Sequence, residues 1–231
     1  MRLITVAGPP SSGKTSLILR AAAILKQGAR IGVVKFDCLT APDTAFYRAQ
    51  GIPVKAGISG GLCPDHFFVS NIEGALKWAE GEGFDYLITE SAGLCNRCSP
   101  HIKGVPALCV IDNLSGVNTP KKIGPMLKSA DLVAITKSDI VSQAEREVFA
   151  FRVRQVNPRA TVLHVNGITG QGAFRLAAWL DKATASSSVE TLEGELLRFT
   201  MPGALCSYCL GERRIGEDKQ IGVARLVDFA D

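Results

Sequence analysis

Eight residues near the amino end constrain this chain more than any others. Gly8-Pro9-Pro10-Ser11-Ser12-Gly13-Lys14-Thr15 matches G-x-x-x-x-G-K-[ST] at every fixed position, the P-loop pattern whose backbone N–H groups cradle phosphates. The flanks fit as well. Residues 3–7 are an apolar run that reads as a strand entering the loop. Residues 14–26 read as a helix leaving it, with Leu17, Ala21, Ile24 and Leu25 on one face. A strand, loop and helix in this order aim a helix N-terminus at an anion. The expected ligand is a purine nucleoside triphosphate with Mg²⁺. Gly8, Ser11, Ser12, Gly13 and Ser16 would surround the phosphates, Lys14 would reach the β- and γ-phosphates, and Thr15 would hold the Mg²⁺.

The rest of the chain repeats the strand–helix alternation. Further strands are expected at 31–36, 86–89, 107–111, 132–136 and 161–165, and further helices at 67–80, 119–129, 144–156 and 172–184. Most of the strands are continuous apolar runs, as parallel strands covered on both faces require. The expected fold is therefore α/β, a doubly wound and mostly parallel sheet. At 231 residues and 46% apolar, the chain can bury one such domain plus a short extension. Ala185-Ser186-Ser187-Ser188 reads as a linker, dividing a nucleotide-binding domain at 1–185 from a small cysteine-containing β appendage at 189–231.

Composition narrows the partners. A net charge of +4 without a long basic block gives no case for nucleic acid. No apolar run approaches the ~18–20 residues of a membrane helix, and the first strand starts at once, so a cytoplasmic protein is expected.

Several polar residues follow strands and so reach the same sheet edge as the loop. Glu90 and Asp37 each end a strand and are candidates for the Mg²⁺ shell or for orienting the attacking water, and Gly93 leaves the backbone near the γ-phosphate free to move. Thr136-Lys137-Ser138-Asp139 carries a carboxylate that can accept N1–H and N2–H₂ of guanine, whereas adenine offers no such pair. This favours GTP over ATP, with the Lys137 stem lying over the base. Asn166 and Gly167 open the turn after the last strand and would close over the base. Lys14 and the Mg²⁺ would neutralise charge on the transferring phosphoryl group. No arginine is evident in cis to add to them, so intrinsic turnover is expected to be slow. GTP would hold the loops at 37–43 and 93–98 in one arrangement, and hydrolysis would release them.

Seven cysteines, an odd number, argue against a disulfide set in a reducing compartment. Cys95-Asn96-Arg97-Cys98 and Cys206-Ser207-Tyr208-Cys209 have the C-x₂-C spacing that lets both thiolates bind one metal from a tight turn. Each lies in a loop-like segment, and the first is one short loop beyond Glu90. Cys63 and His66 are further ligand candidates and His101 a weaker one. Cys109 and His164, in strands, read as core, and Cys38 is open to either reading.

These residues together resemble the CobW/HypB/UreG group of P-loop GTPases that assist assembly of metal centres. The likeness covers roughly residues 1–183. It runs through Val110-Ile111-Asp112, Thr119-Pro120-Lys121-Lys122-Ile123-Gly124-Pro125, Ser129-Ala130-Asp131-Leu132-Val133 and Thr136-Lys137-Ser138-Asp139, which are similar to the matching stretch of the urease accessory GTPase. Glu90-Ser91-Ala92-Gly93 is similar to the E-x-x-G element of the group. Gly60-Gly61-Leu62-Cys63-Pro64-Asp65-His66 is similar to a Gly-Gly-Cys-Pro-His metal motif, with insertions. The resemblance implies a homodimer that binds Ni²⁺ or Zn²⁺ at its interface and couples GTP to metal transfer, with a client metalloenzyme or its assembly proteins as partners. Three histidines give no His-rich metal store, and Cys98 and the tail pair have no assigned counterpart. Two other readings stay open. One is a nucleotide-driven redox activator carrying an iron–sulfur cluster, although residues 9–12 lack the second lysine of that subgroup. The other is a regulatory GTPase with a purely structural zinc in its tail.

Overall fold

The computed structural model describes residues 1–183, 187–199 and 209–229. Seven strands form one parallel sheet: β1 (Arg2–Ala7), β2 (Ile31–Asp37), β3 (Val54–Ile58), β4 (Tyr86–Ser91), β5 (Ala107–Asp112), β6 (Leu132–Thr136) and β7 (Thr161–His164). Their spatial order is β3-β2-β4-β1-β5-β6-β7. The chain winds outward from β1 to β3, returns through β4, and then crosses to the other half. That reversal beside β1 is where open α/β sheets bind ligands, outside the carboxyl ends of the strands.

Alternation along β1 divides the core between the two faces. Ile4 and Val6 pack with Leu17, Ile18 and Ala21 of α1 (Lys14–Leu25), with Tyr47 of α2 (Thr44–Ala49), and with Leu176 and Leu180 of α7 (Ala173–Lys182). On the opposite face Leu3 meets Phe67, Phe68, Ile72 and Leu76 of α3 (Pro64–Gly81). Ala7, on the same side, meets Met126 and Leu127 of α5 (Pro125–Lys128) and Phe149 and Val153 of α6 (Gln143–Val156). Strands β4, β5 and β6 are buried along their whole length, as the unbroken apolar runs require.

Three local expectations are corrected. The helix expected at 119–129 is two single turns, α4 (Thr119–Lys122) and α5. Gly124 sits between them at φ +39°, and Pro125 then lacks the N–H that a continuous helix would use. The stretch between 37 and 64, for which no strand or helix is expected, contains α2 and β3. Both are short, and β3 carries Lys55 and Gly57, so neither shows a period. Helix α3 starts at Pro64, three residues earlier than expected, which brings Asp65 and His66 into its first, buried turn.

The described part of the tail packs on the α3 face. Leu192, at the end of the short α8 (Val189–Leu192), and Leu197, Cys209, Ile215 and Phe229 beyond it share one apolar cluster with Phe36, Phe67 and Phe68. Fully burying each of these Leu, Ile and Phe side chains is worth ~1.5–3 kcal/mol. Its β character consists of single bridges, Ile102 to Leu197 and Leu196 to Arg214, both antiparallel. Arg198 clamps the start of the tail. Its guanidinium donates to both Asp131 oxygens at 2.6 and 2.7 Å and to the carbonyls of Ile102, Val105 and Ser129.

Candidate nucleotide and metal site

The P-loop joins β1 to α1 at the crossover. Its curvature depends on left-handed residues: Ser11 at φ +59° and Gly13 at φ +90°, the residue that caps α1. Lys14 folds back over the loop, and its Nζ donates to the Gly8 and Pro9 carbonyls at 2.9 Å each. Burial lowers its pKa; the Glu90 carboxylate acts against that, while the Lys35 charge adds to it. Gly93, at φ +70°, lies against the loop. A Cβ there would stand 1.7 Å from the Gly8 carbonyl oxygen. The segment after β4 and the phosphate loop are therefore in backbone contact.

Beside the loop, a cleft of about 480 Å³ is lined by Lys14, Thr15, Lys35, Asp37, Asp43 and Glu90, among others. The Thr15 hydroxyl lies 2.8 Å from Asp43 Oδ2 and 2.8 Å from Glu90 Oε1. Tyr47 donates its hydroxyl hydrogen to Glu90 Oε2 at 2.7 Å. Lys35 stands beside Glu90 in register on the neighbouring strand and donates to Glu90 Oε1 at 3.0 Å and Asp43 Oδ2 at 2.8 Å, with Asp37 Oδ2 at 3.7 Å. Burial would raise the Asp43 carboxyl, but the hydrogen bonds from Lys35 and Thr15 outweigh it and hold the group below its ordinary range. Burial and then the Glu90 charge push Tyr47 well up, so its phenol keeps its proton. Oxygen donors of this kind, one hydroxyl and three carboxylates, suit Mg²⁺.

Sequence reasoning found Thr15, Glu90 and Asp37 here but missed Asp43, Lys35 and Tyr47. Asp43 and Tyr47 follow no strand and belong to no motif. Lys35 did leave a signal: it is the one charge inside the apolar run 31–36.

The expected base-reading residues lie on the other side of the loop. Thr136 donates its hydroxyl hydrogen to the Ser12 carbonyl at 2.6 Å, bracing the phosphate loop from β6. Lys137, at φ +55°, donates to the Ser11 carbonyl at 2.8 Å. Asp139 is exposed, and it lines a cavity together with Ser138, Asn166 and Gly172. The Asn166 side chain accepts the N–H groups of Ile168 and Thr169, so it shapes its own turn. Gly167 abuts the start of α1: a Cβ there would lie 2.8 Å from Ser16 Cβ.

The cysteines divide. Cys95, Cys98 and Asp65 present one sulfur or oxygen each within 4.8 Å of one another. The Cys98 thiol is paired with Cys95, and Cys63 lies near enough to feel both. Burial pushes Cys98 strongly up and Cys63 to about 11. Burial likewise raises Asp65 to about 7, and neither of its oxygens has a hydrogen-bond partner among the described residues. A fully buried carboxyl without a partner is expensive unless a cation or proton satisfies it. The set of thiols plus one carboxylate fits a borderline divalent metal. His66 faces elsewhere, with Nε2 3.0 Å from the Val223 carbonyl. Cys206 lies outside the described residues. Cys209 is buried in the cluster that also holds Cys98. Cys109 is buried within β5, as its strand position implied. His101 is buried with Nδ1 2.9 Å from Thr5 Oγ1. His164, expected in the core, is instead exposed at the end of edge strand β7, with Nδ1 2.8 Å from Ser138 Oγ.

A sequence model described as "CobW/HypB/UreG, nucleotide-binding domain" matches residues 2–164. The chain belongs to the CobW/HypB/UreG family. Proteins similar to it include MJ0120, an uncharacterised protein of Methanocaldococcus jannaschii, 44% identical over 229 residues that span 99% of this chain and 97% of that one. The hydrogenase maturation factor HypB of Azotobacter chroococcum is 26% identical over 183 residues; the match covers 78% of this chain but only 59% of HypB. Among solved structures, nickel-bound HypB of Helicobacter pylori superposes with a TM-score of 0.65 at 20% identity, covering 81% of this chain and 91% of that one. HypB of Archaeoglobus fulgidus gives 0.62 at 21% identity, covering 79% and 89%. These structures share the fold of this CobW/HypB/UreG family member. Among its described residues, no helix is long and apolar enough to cross a membrane.

Proposed function

We propose that this protein is a Mg²⁺-dependent GTP-binding and hydrolysing switch that delivers a metal ion or cluster to a client metalloenzyme. One observation carries the reading. Glu90 at the nucleotide cleft and Cys95 at the thiol cluster are five residues apart on one segment, and that segment rests on the phosphate loop through Gly93 and Gly8. A change at the γ-phosphate that shifts Gly93 has a short mechanical path to the sulfurs.

Thr15, with Asp43, Glu90 and Asp37, would hold Mg²⁺, which would neutralise charge on the phosphates. Lys14 binds the β- and γ-phosphates. Glu90, steadied by Tyr47, orients the attacking water. Asp139 selects guanine over adenine. Cys95, Cys98 and Asp65, with Cys63 nearby, hold the cargo metal, and the tail pair Cys206 and Cys209 supplies further thiols. The hydrogenase maturation relatives favour this reading over a nucleotide-driven iron–sulfur redox activator. We further infer that the protein works as a homodimer in the cytoplasm, with the client enzyme or its assembly proteins as partners.

The test is the metal and acid-labile sulfide content of anaerobically purified protein, with GTP or GDP and Mg²⁺. Nickel, zinc or cobalt whose retention changes with the nucleotide supports a delivery switch. Iron with sulfide, lost on Cys95→Ala, would move the function to the redox class. Unchanged GTP binding in Lys14→Ala would refute the nucleotide site itself.

A further inference from the structure

One charge in the cleft plays no part in the scheme above. Lys35 is 4% exposed, on a strand whose other residues before Asp37 are apolar or glycine. Burying an ammonium is costly unless it is paired and hydrogen-bonded. Lys35 is: its Nζ lies 2.8 Å from Asp43 Oδ2, 3.0 Å from Glu90 Oε1 and 3.7 Å from Asp37 Oδ2. Two of these atoms, Asp43 Oδ2 and Glu90 Oε1, are the ones that the Thr15 hydroxyl also reaches at 2.8 Å. The ammonium and the expected Mg²⁺ therefore claim the same oxygens. A divalent ion held by Thr15 and either acid would stand within a few ångströms of a buried positive charge, where repulsion is strong.

We propose that Lys35 is a built-in counter-ion of the Mg²⁺ site, exchanged for Mg²⁺ only when the triphosphate arrives. In the nucleotide-free protein it satisfies the acids and keeps free Mg²⁺ out. When Mg²⁺ enters with the nucleotide, the ammonium leaves the carboxylates, and the phosphate charge receives it. Lys14 and Lys35 line the cleft together, so a triphosphate bound there would meet both positive charges. The inference rests on the nucleotide site proposed above. It adds a second cation from the same chain to that site, and it makes Mg²⁺ and nucleotide load together.

The experiment is a titration of nucleotide-free protein with Mn²⁺, followed by electron paramagnetic resonance, for the wild type, Lys35→Met and Lys35→Arg. The expected result is that Lys35→Met binds Mn²⁺ at least about tenfold more tightly than the wild type, while Lys35→Arg stays as weak as the wild type. Equal affinity in the wild type and Lys35→Met would overturn the proposal, as would tight binding by Lys35→Arg. If Lys35→Met is poorly folded, thermal melts decide. Mg²⁺ alone should raise its melting temperature by several degrees more than that of the wild type, and equal shifts would overturn the proposal. No nucleotide enters these assays. A failure to bind GTP would sink the nucleotide reading without altering the Mn²⁺ result, and the converse holds.

Discussion

The hydroxyl of Thr15 lies 2.8 Å from Oδ2 of Asp43, which joins the start of α1 to the loop that precedes α2. The contact puts Asp43 beside the strand-end acids in the cation site proposed above. Asp43→Asn should weaken Mg²⁺-dependent nucleotide binding and turnover by about 10–100-fold, the range found when supporting groups of metal sites are removed. Turnover measured against Mg²⁺ concentration checks this. An unchanged Mg²⁺ midpoint would exclude Asp43 from the site.

Gly93→Ala should uncouple the phosphate loop from the segment after β4. The added Cβ would meet the Gly8 carbonyl at 1.7 Å, on a residue at φ +70°. The left-handed conformation alone costs a non-glycine residue roughly 1–2 kcal/mol, and the clash must displace one backbone from the other. Calorimetric titration with a non-hydrolysable GTP analogue should show binding lost or severely weakened, with far-ultraviolet circular dichroism kept. Wild-type affinity would mean that the two loops can separate freely.

Asp139→Asn should alter the choice of base and leave phosphate binding alone. A hydrogen bond to a charged group is worth about 1.5–3 kcal/mol, so the preference for GTP over ATP should fall by roughly 10–100-fold. Competition between the two nucleotides measures the ratio directly. If it does not move, Asp139 does not read guanine.

Two buried groups should make opposing contributions to the acid response of the metal-free protein. Burial, and then the Arg198 charge, depress His101 from 6.5 to about 3, so its contribution to stability is lost as pH falls from about 6.5 towards 3. Burial raises Asp65 from 3.8 to about 7, so its contribution is present below about 4 and is lost as pH rises through 7. The two oppose each other between pH 4 and 6.5. With a chelator present, Asp65→Asn should therefore make the melting temperature fall more steeply as pH drops from 7 to 4. His101→Gln should flatten or reverse the slope. Parallel curves for wild type and both variants would show that neither group titrates as described.

Much of the molecule is legible in the chain. The phosphate loop is eight consecutive residues, and its conformation follows from local glycine freedom and the helix start at Lys14. Six of the seven strands could be placed along the chain without their neighbours, most of them as apolar runs. Edge strand β3 and the one-turn helices α4 and α5 were not visible as such, because their residues take their structure from what they pack on.

The site itself divides in the same way. Lys14, Thr15 and the strand-end acids Glu90 and Asp37 could be named from position along the chain alone. Asp43 and Tyr47 could not, the lone charge of Lys35 in an apolar run did not say what it pairs with, and the pairing of Asp65 with Cys95 and Cys98 left no signal. Sequence separations of 43 to 75 residues divide Glu90 from Tyr47, Lys35 and Thr15, and only the parallel pairing of β2 with β4 brings Lys35 level with Glu90. Short-range backbone geometry is written into neighbouring residues. Which charges share one cavity is decided by strand register and packing, and these exist only once the sheet has formed.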